Sequence, residues 1–379
     1  MFSLRGFWTR HKRKVLVAAG VCGSGYLIYK LYEAQRRRLY HMEQQLQGER
    51  EIDEIIKAQL QAHFENIQRI SDTTTLPYAV HYLRSRIYEE LDLTHLTEKL
   101  MQGKGQSSAL PSKEKIELWE MLKVLSFTRT ASSLWSVTML SLYVRVQVNI
   151  LGRHLYLDAA RGSDGSPVLG ESDSFSKHGQ QDFLATADYL SSYGINKLIT
   201  NMQCASTAVL KEKRLKDPFS MEQLHETIME ILELFMTIGE PNYWMSYLVP
   251  ENATAYRQLM VMSTDGSDDS SFLMDVSKLE QLISETRAVL SSPDFGNVVE
   301  ISLKKVVDFL VETMSAQFGR SGSSPPSGIP LAKLLPQVAQ LSLALLEEPS
   351  SNKFIQTIQS LPEVELFYTL LYANMPLEP

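Results

Sequence analysis

Apolar positions along this chain recur at helical spacing far more often than at strand spacing. Ile52, Ile56, Leu60, Phe64 and Ile67 follow one another by steps of four and three residues, which puts them on one helical face and predicts a long helix through residue 70. After Pro77, the positions Val80, Leu83, Ile87 and Leu91 form a second stripe. Further stretches of the same period run through 114–128, 131–151, 181–211, 219–238, 273–290, 295–318, 330–347 and 362–374. Strand-like alternation is rare; Tyr143 to Val148 is its best instance, and its position at the close of a helical stretch favours helix. The fold expected is all-α, an elongated helical bundle.

Four segments interrupt the period with turn-forming composition: Gln102 to Lys113, Arg161 to Lys177, Thr264 to Ser271, and Gly319 to Pro330. They read as connections inside one bundle, because the stripes on either side have no partner of their own. Ala131 to Val144 is apolar apart from hydroxyl groups and is bracketed by Arg129 and Arg145. Its 14 residues are too few to cross a bilayer comfortably, so it reads as a core helix apolar on every side, at the centre of the bundle.

The amino terminus has a different pattern. Arg10, His11, Lys12, Arg13 and Lys14 lead into an apolar run over Val15 to Tyr32, closed by Arg36, Arg37 and Arg38. Those 18 residues make a helix of about 27 Å, at the short end of what spans a hydrocarbon core of ~30 Å. Lys30 is the only charge in the run, near its end, where its stem can snorkel to the headgroups. A cleaved signal peptide and a buried core helix are the rival readings. Against the first, no small-residue cleavage site follows the run; against the second, basic brackets have no reason to enter a core. The anchor reading makes the bundle one preceded by a short transmembrane helix. Lys and Arg number five before the run and four from Lys30 onward, so the positive-inside rule leaves the orientation open.

Charge divides the chain in two. Residues 1–38 hold nine Lys or Arg against Glu33, a net of +8, and the whole-chain −7 therefore becomes −15 for residues 39–379. A basic end suits anionic lipid headgroups or an acidic targeting receptor. The acidic body argues against nucleic acid as a partner. Two cysteines, Cys22 and Cys204, offer no disulfide framework, which fits a reducing compartment. Cys204 falls in a helical stretch and is expected to be a buried structural thiol. Phosphate-loop, dinucleotide, nucleophile-elbow and zinc motifs do not occur, and the eight histidines have no metal-ligand spacing. The expectation is therefore a binding protein and not an enzyme, with no cofactor and no metal.

One internal segment looks built for binding. In Lys113 to Lys123, the residues Lys115, Ile116 and Trp119 share a helical face by i, i+4 and i, i+3 spacing. Glu117, Glu120 and Lys123 flank the tryptophan, which suggests that it sits near water. An aromatic beside a cation at a surface is what a groove offers an acidic amphipathic helix. The competing reading is a tryptophan that simply closes the core, and spacing leaves both open.

With these residues in place, the chain resembles the peroxin-3 family, in particular its plant members. The likeness rests on Arg10-His11-Lys12-Arg13-Lys14 before the anchor and on Leu118-Trp119-Glu120 with Leu122-Lys123. It continues through Ser126-Phe127-Thr128-Arg129, Arg145-Val146-Gln147-Val148-Asn149-Ile150 and Leu155-Tyr156-Leu157-Asp158. Glu285-Thr286-Arg287, Ser292-Pro293-Asp294-Phe295 and Pro330-Leu331-Ala332-Lys333 complete it, in order, over nearly the whole length. The resemblance implies a single-pass protein of the peroxisomal membrane with three parts: a basic targeting segment at 1–14, an anchor at 15–32, and a cytosolic helical bundle at 33–379. It implies a dock for the farnesylated import receptor, the nineteenth peroxin, which brings newly made peroxisomal membrane proteins and lays an amphipathic helix in an apolar groove. By position Trp119 would anchor that helix, with Lys115 and Ile116 beside it, Leu100 lining the groove and Lys333 adding a basic contact. Arg10, His11, Lys12, Arg13 and Lys14 would serve targeting and contact peroxisomal membrane lipids. An adaptor that tethers peroxisomes to inheritance, degradation or lipid machinery is the alternative function.

Overall fold

The computed structural model describes residues 62, 65–66, 68–102, 111–162, 177–263, 272–320 and 328–373. The expected anchor at 15–32, the basic cluster Arg10 to Lys14 and all five residues of the stripe Ile52, Ile56, Leu60, Phe64 and Ile67 lie outside the described residues.

A π-helical turn (Ser71–Thr75) runs directly into α1 (Leu76–Glu90), where Pro77 sits at the start, its missing N–H costing nothing in the first turn. The stripe behaves as its period predicts: Val80, Leu83 and Ile87 are all buried. The remaining helices are α2 (Thr94–Gln102), α3 (Ser112–Gly162), α4 (Lys177–Ala185), α5 (Ile195–Leu210) and α6 (Met221–Met236). They continue with α7 (Met245–Leu248), α8 (Ala253–Ser263), α9 (Phe272–Leu290), α10 (Pro293–Arg320), α11 (Leu331–Leu345), α12 (Lys353–Gln359) and α13 (Pro362–Ala373). Extended structure among the described residues is one antiparallel pairing of β1 (Pro218–Phe219) with β2 (Ile329–Pro330), in the register Pro218 to Pro330 and Phe219 to Ile329. The described body is all-α apart from that clasp.

The two stretches 114–128 and 131–151 form the single helix α3, 51 residues long, and it is the axis of the fold. It packs against α1, α2, α4, α5, α6 and α9 to α13, and every residue from 126 to 144 is buried. Its membrane-like composition is thereby explained: in Ser112–Leu155 the apolar window is 94% buried inside the protein, so protein and not lipid surrounds it. Small hydroxyl residues (Ser132, Ser133, Ser136) keep the helix thin where neighbours approach. Trp135 fills the gap between neighbouring helices, edge-on to Phe235 and Tyr247 at ring-centroid distances of 5.4 and 6.2 Å.

The stretch 181–211 is not one helix. A 3-10 turn (Thr186–Asp188) and a π turn (Leu190–Gly194) separate α4 from α5. Two tertiary demands account for the break. Tyr143 Oη and Gln147 Nε2 both reach Thr186 Oγ1, at 2.9 and 2.6 Å. At Gly194 a Cβ would stand 1.9 Å from the Tyr247 carbonyl oxygen, so the chain must carry glycine there.

The expectation for Cys204 needs correcting, since it is exposed. The buried face of α5 is set by Leu198, Ile199, Met202, Ala205 and Ser206; Cys204 lies two residues past Met202, about 200° around the helix, and faces water.

Candidate functional site

At the amino-terminal end of α3 a small apolar cluster stands apart from the main core. Leu93, Leu100 and Leu122 are its buried members, with Leu118, Trp119, Leu125 and Ala339 packed partly buried against them. Leu118, Leu122 and Leu125 recur at i, i+4 and i+7, which gives α3 one face toward α2. That short helix is set in place by its entry. The Asp92 carboxylate accepts from the Thr94 backbone N–H at 2.8 Å, and hydrogen bonding to Thr94 holds its pKa below the ordinary value. Thr97 Oγ1 donates back to the Leu93 carbonyl oxygen at 3.0 Å.

The rim of the cluster is greasy and open. Ile116 is 59% exposed, Met121 51% and Met101 73%. Trp119 is half-buried, with one part on the leucines and the rest toward water. A partly covered tryptophan with an exposed isoleucine one turn before it is what a recognition surface for an apolar helix face offers.

The five residues expected at the binding site fall into two groups. Leu100, Trp119, Ile116 and Lys115 come together on α2 and the first turns of α3, with Leu100 only 6% exposed and acting as floor, Ile116 as rim, and Lys115 half-buried one turn before Trp119. Lys333 is exposed in the first turn of α11, the helix that also supplies Ala339 to the cluster; about 9 Å of helix separates the two positions. The five basic residues Arg10, His11, Lys12, Arg13 and Lys14 lie outside the described residues.

Lys123 is where sequence reasoning went wrong. It does not flank Trp119 in water; its side chain is 2% exposed. Its ammonium donates to the carbonyl oxygens of Leu210 at 3.2 Å and Lys213 at 2.7 Å, and pairs with Glu120 Oε2 at 2.6 Å. A lysine has three N–H donors, and all three are matched here. The cation sits at the carboxy-terminal end of α5, where the last carbonyls and the helix dipole both favour positive charge. No local signal in the sequence could have revealed this, because the acceptors lie 87 and 90 residues away.

A second concavity, about 700 Å³, lies between α6 and α10, lined by Met221, Glu222, His225, Asp308, Val311 and Glu312 among others. His225 and Asp308 bridge it at 2.8 Å. Among the described residues no group of three or more His, Cys, Asp or Glu side chains has the arrangement of a metal site.

Comparison with known proteins gives this arrangement a family. The peroxin-3 family model matches residues 104–374. The chain is 51% identical to peroxisome biogenesis protein 3-2 of Arabidopsis thaliana, over 98% of its own length and 99% of the relative's. It is 52% identical to peroxisome biogenesis protein 3-1 of the same plant, at the same coverage of both chains. To peroxisomal biogenesis factor 3 of Homo sapiens it is 31% identical over 97% of each chain. Full-length likeness of that strength, together with the family match over most of the helical body, leads to one conclusion: this chain belongs to the peroxin-3 family of peroxisome biogenesis factors, as a plant-type member.

Proposed function

We propose that this chain is a membrane-anchored docking receptor for the farnesylated import receptor, the nineteenth peroxin, and acts in the insertion of peroxisomal membrane proteins. It is held in the peroxisomal membrane by the apolar run at 15–32, with the helical body in the cytosol. The body binds the amphipathic helix of its partner at the α2–α3 cluster. Trp119 inserts between the partner's apolar side chains over the floor that Leu100 helps to form, Ile116 widens the contact, and Lys115 and Lys333 meet its carboxylates. Nothing in this reading calls for catalysis or a cofactor.

The observation that carries it is the partial burial of Trp119 over its own leucine floor, with Ile116 one turn before it in solvent. A tryptophan serving only the core would be covered on all sides, as Trp135 is.

The deciding experiment measures binding of the full chain in detergent, wild type and Trp119→Ala, to a peptide of the receptor's amino-terminal helix. Truncating a buried interface aromatic costs ~2–4 kcal/mol, roughly 30- to 1,000-fold in affinity. No binding by the wild type defeats the function proposed; binding untouched by the mutation defeats the site.

A further inference from the structure

Lys123 is one helical turn beyond Trp119, and what it holds leads back to the docking surface. The segment that follows α5 is mostly exposed through residue 218; Leu215 is half-buried and Phe219 is its first buried apolar side chain. Lys123 fixes the start of this segment by its bonds to the Leu210 and Lys213 carbonyl oxygens. Lys213 adds a second tie, its ammonium donating to Thr227 Oγ1 at 2.7 Å and pairing with Glu230 at 3.3 Å. The same segment then receives the start of α11. The backbone N–H of Leu331 donates to the Asp217 carbonyl oxygen at 3.1 Å, and that of Ala332 to the Leu215 carbonyl oxygen at 3.0 Å. The β1–β2 clasp continues the contact, with Gly328 at φ +82° packed so close that a Cβ would stand 3.1 Å from the Phe219 nitrogen. The next residue after Ala332 is Lys333.

A path of hydrogen bonds joined by the backbone of residues 210–217 thus runs from the helix of Trp119, through Lys123, to the two residues before Lys333. We infer that Lys123 is a positioning residue of the docking site: α11 as a whole is seated by its packing on α3, and Lys123 fixes the segment that holds the first turn of α11, so that the Lys333 cation is kept where a carboxylate on a helix seated at Trp119 can meet it. This rests on the docking reading for the partner, an acidic amphipathic helix. The structural link itself does not depend on that reading.

Two measurements on the full chain in detergent separate link from function. The first is amide hydrogen exchange of Lys123→Met against wild type. Loss of two charge-assisted hydrogen bonds predicts exchange about tenfold or more faster in 210–219 and equally in 329–333, with 131–151 unchanged. If 210–219 loosens while 329–333 keeps its protection, Lys123 only caps α5 and the inference fails. The second is a double-mutant cycle on binding of the receptor-helix peptide. Lys333→Ala is expected to weaken binding about threefold in the wild-type background and to have no further effect in Lys123→Met. Strict additivity overturns the inference. A wild type that does not bind the peptide defeats the docking reading, and the exchange data then decide on the link alone. Should circular dichroism show that Lys123→Met does not fold, Gly328→Ala strains the same path from its far end. It is expected to loosen 329–333 and abolish the Lys333 effect, and protection unchanged there would refute the inference equally.

Discussion

Arg145, on α3, donates to Asp72 Oδ2 at 3.1 Å, and through that pair the π-helical turn Ser71–Thr75 is tied to the axis of the fold. Gln359 Nε2 donates to the other carboxylate oxygen of Asp72 at 2.9 Å, which adds the carboxy-terminal end. Tyr368 completes the junction, its ring 5.7 Å from the Arg145 guanidinium and its hydroxyl donating to the Leu142 carbonyl oxygen at 2.7 Å.

This junction is expected to stabilise the fold. The Arg145 side chain is 12% exposed and that of Asp72 32%, between the buried and surface cases, so the pair is screened only in part. Asp72→Ala leaves a mostly buried guanidinium without its carboxylate and Gln359 without an acceptor. It should cost about 1–3 kcal/mol in urea unfolding of the full chain. Gln359→Ala, which removes only the neutral bond, should cost about 1 kcal/mol or less. Equal costs would mean that the ion pair contributes nothing.

The core of α3 contains a less obvious margin. Ser133 is fully buried and its Oγ has no hydrogen-bond partner. Its hydroxyl is desolvated without compensation, and its value is its small size. Ser133→Ala should therefore stabilise by ~0.5–1 kcal/mol through a relieved polar group and better helix propensity. Ser133→Leu, which overfills the same place, should destabilise by about 1–3 kcal/mol. A loss of stability in the alanine variant would show that the hydroxyl is bonded after all.

Periodicity made the helices legible because each has a buried stripe that repeats for several turns, as Val80, Leu83 and Ile87 do on α1. It did not reveal the shorter helices α2, α7, α8 and α12, of which α12 is seven residues long, too short to repeat a stripe; the hydrogen bonds of Asn352 to the Phe354 and Ile355 backbone N–H groups define its start. The break between α4 and α5 escaped for another reason: Tyr143, Gln147 and Tyr247, all distant in sequence, impose it. The candidate site divides along the same line. Spacing put Lys115, Ile116 and Trp119 on one surface, which local geometry governs. The burial of Lys123 and the exposure of Cys204 depend on what other helices cover.

Asp188 provides a pH test. Burial pushes its carboxyl up to about 6 from an ordinary value of 3.8, and its Oδ1 is buried without a hydrogen-bond partner. Nearby Tyr256 is also raised, first by its own burial and then by the Asp188 charge. Between 3.8 and about 6 the folded protein keeps a proton that the unfolded chain has released. Stability from this group is thus full at low pH, falls as pH rises through that window, and is flat above it. Asp188→Asn should remove this part of the slope and stabilise the protein at pH 7 but not at pH 4, as read by denaturant unfolding at the two values. An unchanged slope would show that Asp188 is solvated.

Leu100 and Ile116, both expected at the docking site, should separate into two kinds of effect. Leu100 is 6% exposed within the leucine floor, so Leu100→Ala opens a cavity and should destabilise the fold by ~2–5 kcal/mol. Ile116, 59% exposed, holds little of the fold, and Ile116→Gln should leave unfolding within about 0.5 kcal/mol of wild type. In the proposed docking mode its apolar surface is covered by the partner helix. Losing that contact should weaken peptide binding by about 1 kcal/mol, some fivefold. Measuring unfolding and peptide affinity for both variants distinguishes floor from rim. If Ile116→Gln binds like wild type, the partner helix does not pass over the start of α3, and the contact must lie on the Met121 side of Trp119 instead.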